Sequence, residues 1–127
     1  MFANTKATNG FAVDDIEAAK QFYGETLGLG VTVLSEEHGV TSIQLAGGRD
    51  TLVYAKPDFV PATYTILNFE VDDVDAAVDE LASKGVSFER YEDFEQDEKG
   101  IARGVGPQIA WFKDPAGNIL SVLQQPS

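Results

Sequence analysis

The sequence predicts an α+β fold made of two tandem βαβββ modules. Three observations predict it: a repeated segment, an acidic pair at the same place in each copy, and three β-patterned stretches after each copy. Phe11-Ala12-Val13-Asp14-Asp15-Ile16-Glu17-Ala18-Ala19 matches Phe69-Glu70-Val71-Asp72-Asp73-Val74-Asp75-Ala76-Ala77, with six of nine positions identical at an offset of 58 residues. That offset is close to half of the 127 residues. The modules fall at about 5–56 and 63–125, joined by a linker over 57–62 whose two prolines, Pro57 and Pro61, favour extended chain.

Each module opens on a strand, Gly10 to Val13 and Tyr64 to Val71, where apolar residues run or alternate up to the acidic pair. Asp14 or Asp15, and Asp72 or Asp73, then cap a helix by accepting from its first free N–H groups, where a negative charge also suits the helix dipole. This role accounts for their place and repetition better than acid–base chemistry does. Ile16, Ala19, Phe22, Tyr23 and Leu27 form one apolar helical stripe ending at Gly28; Val74, Ala77, Val78 and Leu81 form the other, ending at Gly85. Both stripes read as core.

Three strands follow in each module. The first has Gly30–Ser35, Val40–Ala46 and Thr51–Ala55, with turns at Glu36-Glu37-His38-Gly39 and Gly47-Gly48-Arg49-Asp50. The second has Val86–Tyr91, Gln108–Lys113 and Asn118–Gln124, the last two joined by the strong turn Asp114-Pro115-Ala116-Gly117-Asn118. A long irregular stretch, Glu92 to Gly106, breaks the symmetry. It is acidic at first and glycine-rich later, with Phe94, Ile101 and Val105 scattered through it. Such loops act as lids or binding loops, or are mobile.

The composition excludes several functions. A chain of this length buries about two-thirds of its unfolded surface, so its core needs no disulfide or metal staple. The absence of cysteine removes disulfides, thiolate metal sites and a cysteine nucleophile. A net charge of −12, from 21 acidic and 9 basic residues, repels nucleic acid and anionic lipid and attracts cations. Met1-Phe2-Ala3-Asn4-Thr5-Lys6 has no basic segment leading into an apolar one, and no apolar run reaches the length of a membrane span, so the expected location is the cytoplasm. Serine-hydrolase, P-loop and dinucleotide motifs are absent, and Gly104-Val105-Gly106-Pro107 is too short to cradle phosphate. The one histidine, His38, sits in a turn and reads as structural.

Val13 through Tyr23 with Leu27-Gly28-Leu29, Phe69 through Ala77, and Trp111-Phe112-Lys113-Asp114-Pro115-Ala116-Gly117-Asn118, in this order and spacing, resemble the vicinal oxygen chelate superfamily. That group includes glyoxalase I, bleomycin-resistance proteins, fosfomycin-resistance enzymes and extradiol dioxygenases. The resemblance implies that the modules form a curled mixed sheet around a cleft, with helices outside. It implies metal ligands on the cleft side of the first and last strands of each module. The corresponding positions are Thr8, Ile66, Ser121 and, to within one residue, Val53. None of these offers imidazole or carboxylate, so no metal and no cofactor is expected.

Strand parity then names the ligand-binding candidates: Thr8, Gln44, Tyr54, Tyr64, Ile66, Asn68, Trp111 and Ser121. If Ile66 faces the cleft, so do Tyr64, Asn68 and Glu70, while Leu67, Phe69 and Val71 lie under the helix. Gln44, a neutral amide, would orient a ligand and not hold a metal. The expected function is metal-free binding of a small molecule, sequestering a hydrophobic or cationic aromatic compound in a homodimer. The alternative is a lyase, isomerase or dioxygenase of the same superfamily, with Glu70 as a candidate base if it is buried.

Overall fold

The computed structural model describes residues 1–104 and 106–126; Val105 lies outside the described residues. The chain divides into two compact units, Met1–Val60 and Pro61–Ser127. The first holds β1 (Asn9–Val13), α1 (Ile16–Gln21), β2 (Gly30–Ser35), β3 (Val40–Leu45) and β4 (Arg49–Ala55). The second holds β5 (Thr65–Glu70), α2 (Val74–Ser83), β6 (Gln108–Lys113) and β7 (Ile119–Gln124). No helix among the described residues is long and apolar enough to cross a membrane.

The sheets share one plan. In the first, the order is β1-β4-β3-β2; in the second, β5-β7-β6. The opening strand lies parallel to the closing one, and the remaining pairs are antiparallel. One face of each sheet carries a helix. In the first unit Phe11, Val13, Ile43 and Val53 are buried with Ala19 and Tyr23. In the second, Ala110, Phe112, Leu120 and Val122 are buried with Val74, Val78 and Leu81. The Val74 N–H donates to Gln124 Oε1 at 2.9 Å, which places α2 on the face that Gln124 shares with Leu120 and Val122.

The acidic pairs resolve to their second members. Asp15 Oδ1 accepts from the N–H groups of Glu17 (3.0 Å) and Ala18 (3.2 Å), and Asp73 Oδ1 accepts from Ala76 N–H (3.0 Å). The repeated turn-and-cap chemistry continues at Asp114-Pro115-Ala116-Gly117-Asn118. Buried Asp114 accepts from Ala116 N–H (3.0 Å) and Asn118 N–H (2.8 Å), Gly117 takes φ +94°, and Asn118 Oδ1 accepts from Ala62 N–H at 3.1 Å. The motif is thus a rigid turn that also seats the chain entering β5.

Three expectations are corrected. The first helix is α-helical only to Gln21 and continues as a π-helical turn over Phe22–Thr26, closed by Leu27 N–H on Phe22 O at 2.9 Å. Val86–Tyr91 is not a strand. Only Phe88 bridges to Phe112, because the Gln96 amide takes the Glu89 carbonyl (2.9 Å) and the Tyr91 N–H (2.8 Å) away from any ladder. Part of the long irregular stretch is ordered. Gln96 bridges to Ala102, Ala102 bridges to Ile109 at the end of the sheet, and Ile101 and Ala102 are buried.

Candidate functional site

The face of the second sheet that points away from α2 brings three of the expected residues into one row. Pairing sets Asn68 opposite Ser121, and Ser121 opposite Trp111. The Ser121 hydroxyl, fully buried, donates to Asn68 Oδ1 at 2.5 Å. Trp111 is 8% exposed and lies between two rings. Tyr91 meets it edge-on at 5.3 Å, and Phe94 packs against it at 5.0 Å, tilted by 36°. Such arrangements are favourable beyond the area they bury.

Tyr91 carries an unusual feature. Its hydroxyl oxygen is buried and has no hydrogen-bond partner among the described residues. Burial raises the phenol's pKa, the nearby Glu89 carboxylate raises it further, and Lys113 opposes both. The group therefore stays protonated, as a donor. Glu89 itself pairs with Lys113 at 3.4 Å, and its N–H donates to the Trp111 carbonyl at 2.8 Å.

The segment presenting Phe94 is held from behind by an ionic clasp. Arg103 binds Asp75 on α2 at 2.8 Å and Asp97 at 2.9 Å, and Lys99 binds Asp79 at 3.0 Å. Asp97 Oδ1 also accepts from the N–H groups of Lys99 and Ile101, each at 2.9 Å. The Arg103 hydrogen bond holds the Asp75 carboxyl below its usual range. At Asp97 burial works the other way, but the hydrogen bonds from Ile101, Arg103 and Lys99 outweigh it and the pKa is lowered. Beside the clasp lies an open cavity of about 480 Å³, lined by Asp93, Phe94, Glu95, Asp97, Ile101 and Arg103 among others. Phe94 thus joins the cavity to the aromatic cluster.

The first unit offers a plainer face. The equivalent row is Gly10, Leu52 and Ser42. A Cβ at Gly10 would meet the Leu52 carbonyl at 3.2 Å, a tight contact that a side chain could make only if the strands moved apart by a few tenths of an ångström. Thr8, just ahead of β1, is exposed. Gln44 and Tyr54 share this face but stand at opposite ends of it: Gln44 pairs with Asp50, four residues or about 13 Å along β4 from Tyr54. The Gln44 amide lies over Gly30, where a side chain would collide with it. His38 is fixed in the β2–β3 turn by Ser35, whose hydroxyl lies 3.0 Å from Nδ1 and accepts from His38 N–H at 3.1 Å.

Two further candidates stand apart from the row. Tyr64 is 69% exposed and precedes β5. Ile66 falls at a register shift between Thr65 and Leu67, which breaks the parity that linked it to Asn68. Glu70 shares the Asn68 face but is exposed, with the Gln125 amide 3.3 Å away; the burial that would make it a base is absent.

A family model for the Glyoxalase/Bleomycin resistance protein/Dioxygenase superfamily matches residues 7–122. The chain belongs to that superfamily. No curated protein matches it. Among solved structures, TnmS3, an antibiotic binding protein from Streptomyces sp. CB03234, is 25% identical with a TM-score of 0.71 over 97% of this chain and 98% of its own. A glyoxalase family protein from Bacillus anthracis has the same TM-score at 22% identity, over 99% of this chain and 100% of its own. A glyoxalase/dioxygenase from Nostoc punctiforme, 18% identical, also reaches 0.71.

Many members of the superfamily use a divalent metal, and the residues here do not fit one. The Ser121 hydroxyl is spent on Asn68, a neutral amide, and the Ile66 position offers no donor atom. In the first unit the position equivalent to Ser121 is Leu52, one residue before Val53. Gly10, the repeat partner of Asn68, pairs with Leu52, whereas Val53 is buried on the α1 side. Leucine is no better a ligand than valine.

Two residues of this cluster escaped sequence reasoning: Tyr91 and Phe94. Tyr91 was the end of an expected strand, and Phe94 was a lone aromatic in an acidic stretch. That isolation was the only available signal.

Proposed function

We propose that this superfamily member is a metal-free binding protein that sequesters a hydrophobic or cationic aromatic compound, acting as a cytoplasmic homodimer. The observation that carries the reading is the row Asn68, Ser121 and Trp111 with its covering rings: an aromatic platform beside neutral hydrogen-bonding groups, without a metal-binding donor set. Sites that only bind need shape, apolar area and a few polar handles. A ligand ring takes the Trp111 face by displacing Phe94, which is 36% exposed. The net charge of −12, with Asp93, Glu95 and Asp97 around the adjoining cavity, favours a cationic substituent. The likeness to an antibiotic binding protein supports the same reading.

Trp111 is the only tryptophan, so its fluorescence reports directly on the site. Calorimetric titration with a panel of cationic aromatic antibiotics is expected to give saturable binding with a matching change in Trp111 emission. Silence across the panel would overturn the binding reading. Stoichiometric zinc, nickel or iron in freshly purified protein would overturn its metal-free part.

A further inference from the structure

Only two buried side-chain oxygens lack a hydrogen-bond partner among the described residues, Thr41 Oγ1 and the Tyr91 hydroxyl. They differ in setting. Thr41 is 1% exposed on the α1 side of the first sheet, packed with Ile43 and Val53. Tyr91 stands on the face of the second sheet away from α2, its ring against Trp111. A buried hydroxyl without a partner loses its water and gains nothing in return, so a fold that keeps one at a binding surface holds a donor in reserve.

We propose that the Tyr91 hydroxyl is a ligand-recognition donor, and that the compound it selects is an aromatic ring system bearing a neutral carbonyl oxygen, such as an aryl ketone or quinone. The inference rests on the binding function proposed above and narrows its ligand class. The aromatic part follows from Trp111, whose face Phe94 covers and a planar molecule takes in its place. The acceptor follows from the phenol, which stays protonated and can donate. Its neutrality follows from Glu89, whose carboxylate field at the phenol opposes a second negative charge and so disfavours a carboxylate or phenolate ligand. Lys113 is already engaged by Glu89, which limits its help to an anion.

The test uses the full chain with 9-fluorenone and fluorene, which share a ring skeleton and differ in one carbonyl. Equilibrium dialysis should show fluorenone binding wild type about five- to tenfold more tightly than fluorene. Tyr91→Phe should erase that preference by weakening fluorenone alone. Urea unfolding should show the variant as stable as wild type or more so. The carbonyl stretch of bound fluorenone should move to lower wavenumber in wild type and not in the variant. Binding of both compounds without preference, a preference that survives in Tyr91→Phe, an unshifted carbonyl band, or a variant less stable than wild type would each overturn the inference alone. Failure of both compounds to bind wild type, by contrast, would sink the aromatic site reading and the inference with it.

Discussion

The two modules are copies that kept one face and changed the other. Phe11 and Val13 repeat as Phe69 and Val71, and both sheets bury an apolar surface beneath a helix capped by an aspartate. On the opposite face the equivalent rows differ entirely: Gly10, Leu52 and Ser42 in the first, Asn68, Ser121 and Trp111 in the second. The insert after the third position differs as well. A short turn joins β2 to β3, whereas the second module spends residues 92–104 on a clasped loop that lays Phe94 over Trp111. The core face is constrained by packing, which tolerates little change in volume. The other face is free to vary, and in this chain the second module's carries a polar pair and an aromatic cluster that the first lacks.

The sharpest way to break this comparison is to delete the equivalent third residues of the rows. Trp111→Ala should cost about 3–5 kcal/mol in urea unfolding, since it removes a nearly buried ring and both its aromatic contacts. Ser42→Ala should cost about 1 kcal/mol or less. Equal costs would mean that the two faces are energetically alike.

Next comes the polar pair that the first module lacks. Asn68→Ala strands the fully buried Ser121 hydroxyl and should cost about 1–3 kcal/mol. A neutral result would show that Ser121 finds another acceptor. The shared caps sharpen the likeness instead. Asp15→Ala and Asp73→Ala should each cost about 1 kcal/mol, Asp15 the more because it accepts from two N–H groups and Asp73 from one.

The smallest effect is local. Asp75 and Asp97 have lowered folded-state pKa values, so the stabilisation their ionised forms give the clasp is present above the ordinary carboxylate value of 3.8 and is lost as pH falls through their lowered ones. Lys99 and Arg103 are shifted upward, so their contribution persists until strongly alkaline pH. Hydrogen-exchange protection of the Lys99 and Ile101 amides should therefore stay level from about pH 5 to 9 and fall in acid. The Val53 amide in the first module should keep its protection until global unfolding. Parallel loss in both modules would show that the clasp does not act separately.

Much of this was legible in the chain. The caps, both helical stripes and the alternation of β6 and β7 could be read because each depends on residues a few positions apart. That Trp111 and Ser121 lie on one face opposite each other followed from parity, since the Asp114-Pro115-Ala116-Gly117-Asn118 turn fixes the register of its flanking strands. Parity misled where the backbone adds a residue, at Ile66, and by one position at Val53. It had nothing to say about Tyr91, Phe94 or the clasp. That stretch is organised by side chains bonding to backbone, as Gln96 and Asp97 do, and such bonding leaves no hydrophobic period.

By itself the sequence determined that two related modules form, each a strand, a capped helix and closing strands, where their helices start, and which residues are turned toward the cores, because these are matters of local period and local hydrogen bonding. Only the tertiary structure decided that Ser121 meets Asn68, that Arg103 reaches Asp75, and that the Tyr91 hydroxyl is left without a partner. Those outcomes depend on strand register and on the path of a loop between groups far apart in the chain, and no pattern of neighbouring residues encodes them.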